Sequence, residues 1–266
     1  MVTAIDTILK RKSVRAYEDK PITDETKAQI LHAAMRAPTA GNLMQYSIIE
    51  VNDPAKKATL ARTCDNQPFI AKAPWVLLFL ADYQRWYDYF ERSGAEGFAR
   101  RAALVWRRPQ EGDLFLACCD AIIAAQTAVI AAEAIGIGSC YIGDIMERCE
   151  EHRALFGLPP YTFPICLLCF GYPTAGQQRR KMTTRFDRKF IVFQDKYRRL
   201  GDPEFEEMFA EEEGRIFKNA AEVKGAASVG QVVYRRKFAA DFTLEMQRSV
   251  RVMLESWRAG EGEGHS

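Results

Sequence analysis

Two cation-rich stretches and one polar loop carry the groups most able to do chemistry in this chain. Arg11-Lys12-Ser13-Val14-Arg15 places three cations and a hydroxyl within five residues. Pro38-Thr39-Ala40-Gly41-Asn42-Leu43-Met44-Gln45-Tyr46-Ser47 has no charge, yet Thr39, Asn42 and Gln45 set hydroxyl and amide groups beside backbone N–H groups. Such a loop can cradle a polar, planar, anionic ligand. The stretch from Gly171 to Lys189 adds Arg179, Arg180, Lys181, Arg185, Arg188 and Lys189. Arg forks, hydroxyls and N–H groups are what a phosphate monoester needs, so the three patches together suit a phosphorylated cofactor with a hydrogen-bonding ring. Singly, each has a plainer reading. Cations at a helix C-terminus complement the macrodipole without a ligand, Gly, Pro and Asn mark ordinary loops, and a basic loop is commonly a solvated surface.

No metal site is expected. His32, His152 and His265 show no ligand spacing with the seven cysteines. Cys166 and Cys169 have C-x-x-C spacing but lie in the apolar run 164–170, which reads as a buried strand. Residues three apart in a strand point to opposite faces, so these thiols are not expected to pair. An odd set of cysteines in apolar surroundings points to reduced, buried thiols in a cytoplasmic protein.

The elements that must position these groups follow from periodicity. Val2, Ile5, Ile8 and Leu9 recur at helical spacing and predict an amphipathic helix ending near Arg11. Thr23 caps a second helix with an Ile30, Leu31 and Ala34 stripe, and Pro38 closes it. The polar loop runs into a strand over 48–51. A helix begins near Pro54, and Asn66-Gln67-Pro68-Phe69 is a polar turn before a short helix. Residues 75–80 form a continuous apolar run expected at the centre of a sheet. Trp86, Tyr87, Tyr89 and Phe90 are expected to pack on a partner subunit rather than to line a pocket.

The spacing then predicts a helix over 113–135 that is apolar on nearly every side and so buried all round, in a domain centre or across a subunit interface. Gly136-Ile137-Gly138 lacks the strand-to-helix context of a dinucleotide fingerprint and reads as a helix stop leading into a strand. A helix over 146–156 and a strand over 163–170 complete an alternating pattern. Beyond them are a charged helix over 202–221, a short strand over 231–234 and an amphipathic helix over 242–257.

Composition narrows the class. Hydrophobic content of 48%, charged content of 27% and a net charge of +2 over 266 residues describe a globular protein with no global attraction to nucleic acid or membrane. The basic clusters 179–189 and 235–237 match no recognised nucleic-acid motif, so no nucleic-acid partner is expected. The most apolar run, 121–132, is shorter than the roughly 20 residues that span a bilayer, so no membrane is expected either. The first residues have no basic region followed by an apolar core, as a secretory signal would.

The ordered combination of motifs resembles the FMN-dependent nitroreductase and flavin reductase family. Arg11-Lys12-Ser13-Val14-Arg15 is similar to its R-x-S-x-R motif, and Pro38 to Tyr46 is similar to its P-S/T-x-x-N-x-Q segment. Tyr141-Ile142-Gly143 and Arg185, after Phe170-Gly171-Tyr172-Pro173, look like the third and fourth elements. The resemblance implies an α+β fold, a three-layer sandwich with a mostly antiparallel or mixed central sheet wrapped by helices. It also implies a homodimer with two FMN sites at the interface. One domain is expected over 1–266, with its core at about 4–195 and an extension, 196–266, wrapping the partner subunit.

By the same resemblance, Arg11 and Arg185 grip the FMN phosphate, with Lys12 and Ser13 in the same motif and Arg15 by the pyrimidine edge of the ring. Pro38, Thr39, Ala40, Gly41, Asn42 and Gln45 come from the other subunit or the opposite side, along the ribityl chain and ring. Gln67 is an amide near the ring, and Tyr141, Ile142 and Gly143 pack on its other face. NADPH or NADH delivers hydride to flavin N5, Arg15 stabilises the resulting charge, and a nitroaromatic, quinone or flavin acceptor takes the electrons in ping-pong order. No side chain is a catalytic acid or base. Two alternatives are a non-catalytic FMN sensor or storage module, and a reductase with a dedicated acceptor such as an enone or halogenated aromatic. The chain departs from the pattern at Thr183, where the family often has Lys and where Arg180 or Lys181 substitutes. It departs again at Tyr46-Ser47, which replaces a Pro-Trp or Pro-Tyr pair.

Overall fold

In the computed structural model, which describes residues 3–218 and 225–260, the central apolar run is the strand Trp75–Asp82 (β2), buried along its whole length. Tyr46–Glu50 (β1), Gly138–Ile142 (β3) and Thr162–Gly171 (β4) join it in a sheet of order β1-β2-β4-β3. Every neighbouring pair is antiparallel. Trp75, Leu77 and Phe79 face one side with Leu168 and Phe170, under the helices Asp24–Met35 (α2) and Glu111–Ala134 (α7). Val76, Leu78 and Leu80 face the other with Leu167, Ile142 and Leu60 of the helix Pro54–Thr63 (α3). The period of two that sorts β2 also sorts β4, so Cys166 and Cys169 enter opposite layers. All seven cysteines are unpaired, and no group able to hold a metal occurs among the described residues.

The chain divides into two compact units, Met1–Arg180 with Glu245–Ser266, and Lys181–Leu244. From Glu245 onward the C-terminal helix Asp241–Ala259 packs on its own chain. Trp257 is buried edge-on to Tyr161 at 5.6 Å and donates to the Gln110 carbonyl at 3.2 Å. The second unit has its own small cluster, Ile216, Val229 and Val232.

Several elements differ from expectation. Residues 231–234 are not a strand: Val229–Val233 is a helical turn capped by Ser228, with Val229 and Val232 three apart on its buried side. The charged helix ends at Ile216, and residue 221 lies outside the described residues, as does Val2. The helix expected from Met146 begins at Cys149, because Met146 closes the 3₁₀ turn Asp144–Met146 and Arg148 is left-handed.

Of the two settings expected for α7, the domain centre does not hold, because its own chain covers only one side of it. Ala117, Ala121, Ala124, Ala125, Ala128 and Ala132 are fully buried against the sheet, but Phe115 is 72% and Leu116 50% exposed, with Ile122 and Ile123 beside them. A single sheet can cover only one side of a helix. At 24 residues α7 is long and apolar enough to cross a bilayer by those two criteria alone, more than the short run 121–132 suggests. Its alanine face makes it a core helix here. The helix Ala4–Lys10 (α1) likewise leaves Ile5, Ile8 and Leu9 exposed.

Gly138 is fixed by a close approach. A Cβ there would stand 2.5 Å from Val14 Cγ2. Gly138→Ala is expected to cost about 1–3 kcal/mol by overpacking, read as a lower midpoint in urea unfolding.

Candidate functional site

The first motif leaves α1 and lies across the sheet edge. Val14 N–H donates to the Ser139 carbonyl at 2.9 Å, and Ser13 bridges Ser139. Further along, Tyr17 bridges Pro173 and packs where Gly171 has no side chain. Lys12 donates to the carbonyls of Gln178 at 2.6 Å and Arg180 at 2.7 Å, and Arg15 N–H donates to Gln177 Oε1 at 3.3 Å. These contacts tie the motif to the short helix Ala175–Arg179 and bring Arg180 to the same corner. Burial raises the Cys140 thiol, while Ser13 and the charges of Arg15, Arg11 and Arg180 pull it back, so all four groups converge there. Lys12 is thus a strut with its ammonium occupied, whereas the Arg11 and Arg15 guanidiniums have no hydrogen-bond or ion-pair partner among the described residues.

The polar loop is held from two sides. Asp120 of α7, only 2% exposed, accepts from Ala40 N–H at 2.9 Å and from Gln45 N–H at 3.1 Å. Thr39 Oγ1 accepts from Met44 N–H at 3.2 Å, around a 3₁₀ turn Ala40–Asn42 with Gly41, Asn42 and Met44 left-handed. On the carbonyl side, Trp86 Nε1 donates to Leu43 O at 2.7 Å, and Arg85 donates to Met44 O at 3.3 Å and Tyr46 O at 2.9 Å. Both come from the helix Gln84–Arg92 (α5). Pro38, Gly41 and Asn42 are exposed, Thr39 and Ala40 half-buried. Gln45 is buried with an Oε1 that has no partner. The Tyr46-Ser47 exit serves the scaffold: Tyr46 is buried among the core residues, and Ser47 bonds Asp82 and Arg85. Asp120 and Arg85 went unnoticed in the sequence, and Trp86 was expected only to pack. Asp120 had a signal, being the one charge between Leu114 and Ala132.

A third group forms at the end of β3. Gln67 and Gly143 are brought together by Asp144, whose carboxylate accepts from Gln67 Nε2 at 2.8 Å. Tyr141 is half-buried and its hydroxyl bonds Gln126 at 3.3 Å. Ile142 departs from expectation, since its side chain is 1% exposed inside the second core layer and offers a ligand only its backbone. Glu147, 4% exposed, has its carboxyl pushed up to about 8 by burial, then by the charges of Asp144 and Asp65. Burial lowers His152, which bonds Ile145 O and Thr63 and stays neutral in the core.

The cationic corner and the polar loop do not form one site within a chain. Arg11 and Lys12 act on Glu133 near the end of α7, while the polar loop is held at Asp120. At 1.5 Å per residue those positions are about 20 Å apart along the helix. Arg185 belongs to the second unit, where its guanidinium folds onto Thr183 Oγ1 at 2.6 Å and Thr184 O at 2.9 Å. Of the aromatic stretch, Tyr87 is buried in its own chain against Tyr161 at 5.0 Å and Trp106 at 6.2 Å, whereas Tyr89 is exposed.

The sequence profile of the nitroreductase family matches residues 8–172. The chain is 30% identical over 203 residues to an FMN reductase (NADPH) of Bacillus subtilis, covering 74% of this chain and 78% of that protein. It is 27% identical over 202 residues to an oxygen-insensitive NADPH nitroreductase of Salmonella typhimurium, with 76% and 78% covered. Among solved structures, nitroreductase A from Vibrio parahaemolyticus superposes with a TM-score of 0.77 at 24% identity, over 97% of this chain and 98% of that one, a likeness of fold.

Glu147 makes stability depend on pH. The folded chain keeps its proton to about pH 8, whereas an unfolded glutamate releases it near 4.5. Its contribution is therefore full below about pH 4.5 and is lost as pH rises through about 8. The stability of the native protein minus that of Glu147→Gln, from urea unfolding between pH 5 and 8.5, is expected to fall as pH rises.

Proposed function

The chain belongs to the nitroreductase family, and on that premise we propose that it is an FMN-dependent oxidoreductase that draws electrons from NADPH or NADH. Nitroaromatic, quinone or flavin molecules are the proposed acceptors. The observation that carries this reading is the corner where Arg11 and Arg15, unpartnered, converge with Arg180 and Ser13. Two cations left unneutralised beside a built hydroxyl call for an anion. The residues also fit FMN at the polar loop, where the buried Gln45 Oε1 lacks a donor and exposed Gly41 and Asn42 can meet a ring or a ribityl chain.

FMN bound there supplies a ring that accepts hydride and releases electrons to an acceptor. Arg11, Ser13 and Arg180 hold the phosphate, with Arg180 standing in for the cation missing at Thr183. Arg15 places positive charge where the ring becomes negative. Asp120 and Arg85 keep the loop in a single conformation. No side chain has to give up or take a proton; five of the seven thiols are buried, Cys118 is half-buried and Cys119 is exposed. Arg185 contributes nothing to this proposal beyond its place in the fourth motif.

The about 20 Å between the two halves of the site supports a homodimer in which the polar loop of one copy meets the cationic corner of the other. Exposed Phe115, Leu116, Ile122 and Ile123 on α7, with Ile5, Ile8 and Leu9 on α1, supply the apolar surface. Each such side chain stabilises an interface by roughly 1.5–3 kcal/mol when fully buried. The extension residues 196–244 are proposed to cover the partner. Seven unpaired thiols support a cytoplasmic location.

The purified protein is expected to be yellow and to bleach when NADPH or NADH is added anaerobically; a colourless protein that ignores added FMN would refute the reading. Arg11→Ala is expected to lower FMN retention on gel filtration at least tenfold, as loss of a charge-assisted contact implies. Replacing both Leu116 and Ile123 with Glu is expected to give a monomer by sedimentation that no longer retains FMN.

A further inference from the structure

Gln67 is held in a way that decides which end of its amide is offered. Its Nε2 donates to the Cys64 carbonyl at 3.0 Å and to Asp144 Oδ2 at 2.8 Å, so both N–H groups are used. The reverse orientation would set the amide oxygen against two acceptors, which the hydrogen-bond network forbids. The amide oxygen has no partner among the described residues and belongs to a half-buried side chain, so it is open to a ligand.

Asp144 is itself supported. It follows Gly143 directly and opens the 3₁₀ turn that returns Glu147 N–H to the Asp144 carbonyl at 3.0 Å. Glu147 lies close enough to Asp144 that, after burial, the charge of Asp144 helps to push the Glu147 carboxyl up to about 8. Asp65 and Cys64 also face this pair, as does Arg148, the one cation acting on Glu147. The Gln67 amide nitrogen is thus held between the Cys64 carbonyl and the Asp144 carboxyl group.

We propose that Asp144 is a positioning residue that locks the Gln67 carboxamide with its oxygen outward, so that this edge of the site receives a ligand ring through a ring N–H. The proposal rests on the flavin reading above. An isoalloxazine carries an N–H at N3 in every redox state, and an amide turned the other way would oppose it with a donor of its own.

A double-mutant cycle tests this on apoprotein titrated with FMN, read by quenching of flavin fluorescence. Asp144→Ala and Gln67→Leu are each expected to weaken binding about three- to tenfold, as loss of one hydrogen bond implies, and the double variant to be no weaker than Gln67→Leu. Asp144→Asn, whose amide oxygen still accepts, is expected to recover most of the loss and guards against a merely misfolded alanine variant. Additive losses, or an Asp144→Ala protein that binds as the native one does, would overturn the proposal alone. Native protein that leaves FMN fluorescence unchanged would overturn the flavin reading and this proposal with it.

Discussion

A buried carboxylate governs the loop between α2 and β1. Taking Asp120 out of water costs several kcal/mol, and the two N–H groups it accepts from each return about 1.5–3 kcal/mol, because the acceptor is charged. That exchange is favourable only if the loop keeps Ala40 and Gln45 aimed at it. The loop therefore tolerates Asn42 and Met44 in left-handed conformations that cost roughly 1–2 kcal/mol each. With Arg85 and Trp86 holding the carbonyls on the other side, Asn42 is left exposed, and the Gln45 Oε1 is buried without a partner among the described residues.

The same division between anchoring and offering recurs at the sheet edge. The Arg11–Arg15 segment is anchored through its backbone, through Lys12 and through Val14, none of which need face a ligand. Anchoring is possible because Gly138 and Gly171 present no side chain where Val14 and Tyr17 come in. Small residues act likewise in α7, whose alanines bring the helix close to the sheet and so place Asp120 beneath the loop. Arg11 and Arg15 are left unpaired by this arrangement, and an unpaired cation is available for an anionic ligand.

Much of the scaffold was legible in the sequence because local patterns carry it. The apolar run of β2 requires burial on both faces, Thr23 caps the helix it precedes, and the C-x-x-C pair falls on opposite faces of β4 whatever surrounds it. The errors arose where a pattern has two physical solutions. Val232-Val233-Tyr234 suits a strand or a helical turn, and Ser228 decides by capping the turn. An apolar stripe such as that of α1 predicts that a face will be covered, but not by which chain.

The sequence by itself determined the types of group this protein can offer: free cations in one motif, an uncharged hydrogen-bonding loop in another, and an amide at Gln67. Those depend on residue identity and short spacing. Only the tertiary structure decided which of them remain available. Lys12 and Tyr46 were removed from the set by carbonyls and core packing, Ile142 by burial in the second layer, and the Gln67 amide was given one orientation by Asp144. The partners responsible lie 39 to 168 residues away for the loop and for Lys12, and hydrogen bonds across such separations leave no local pattern to read.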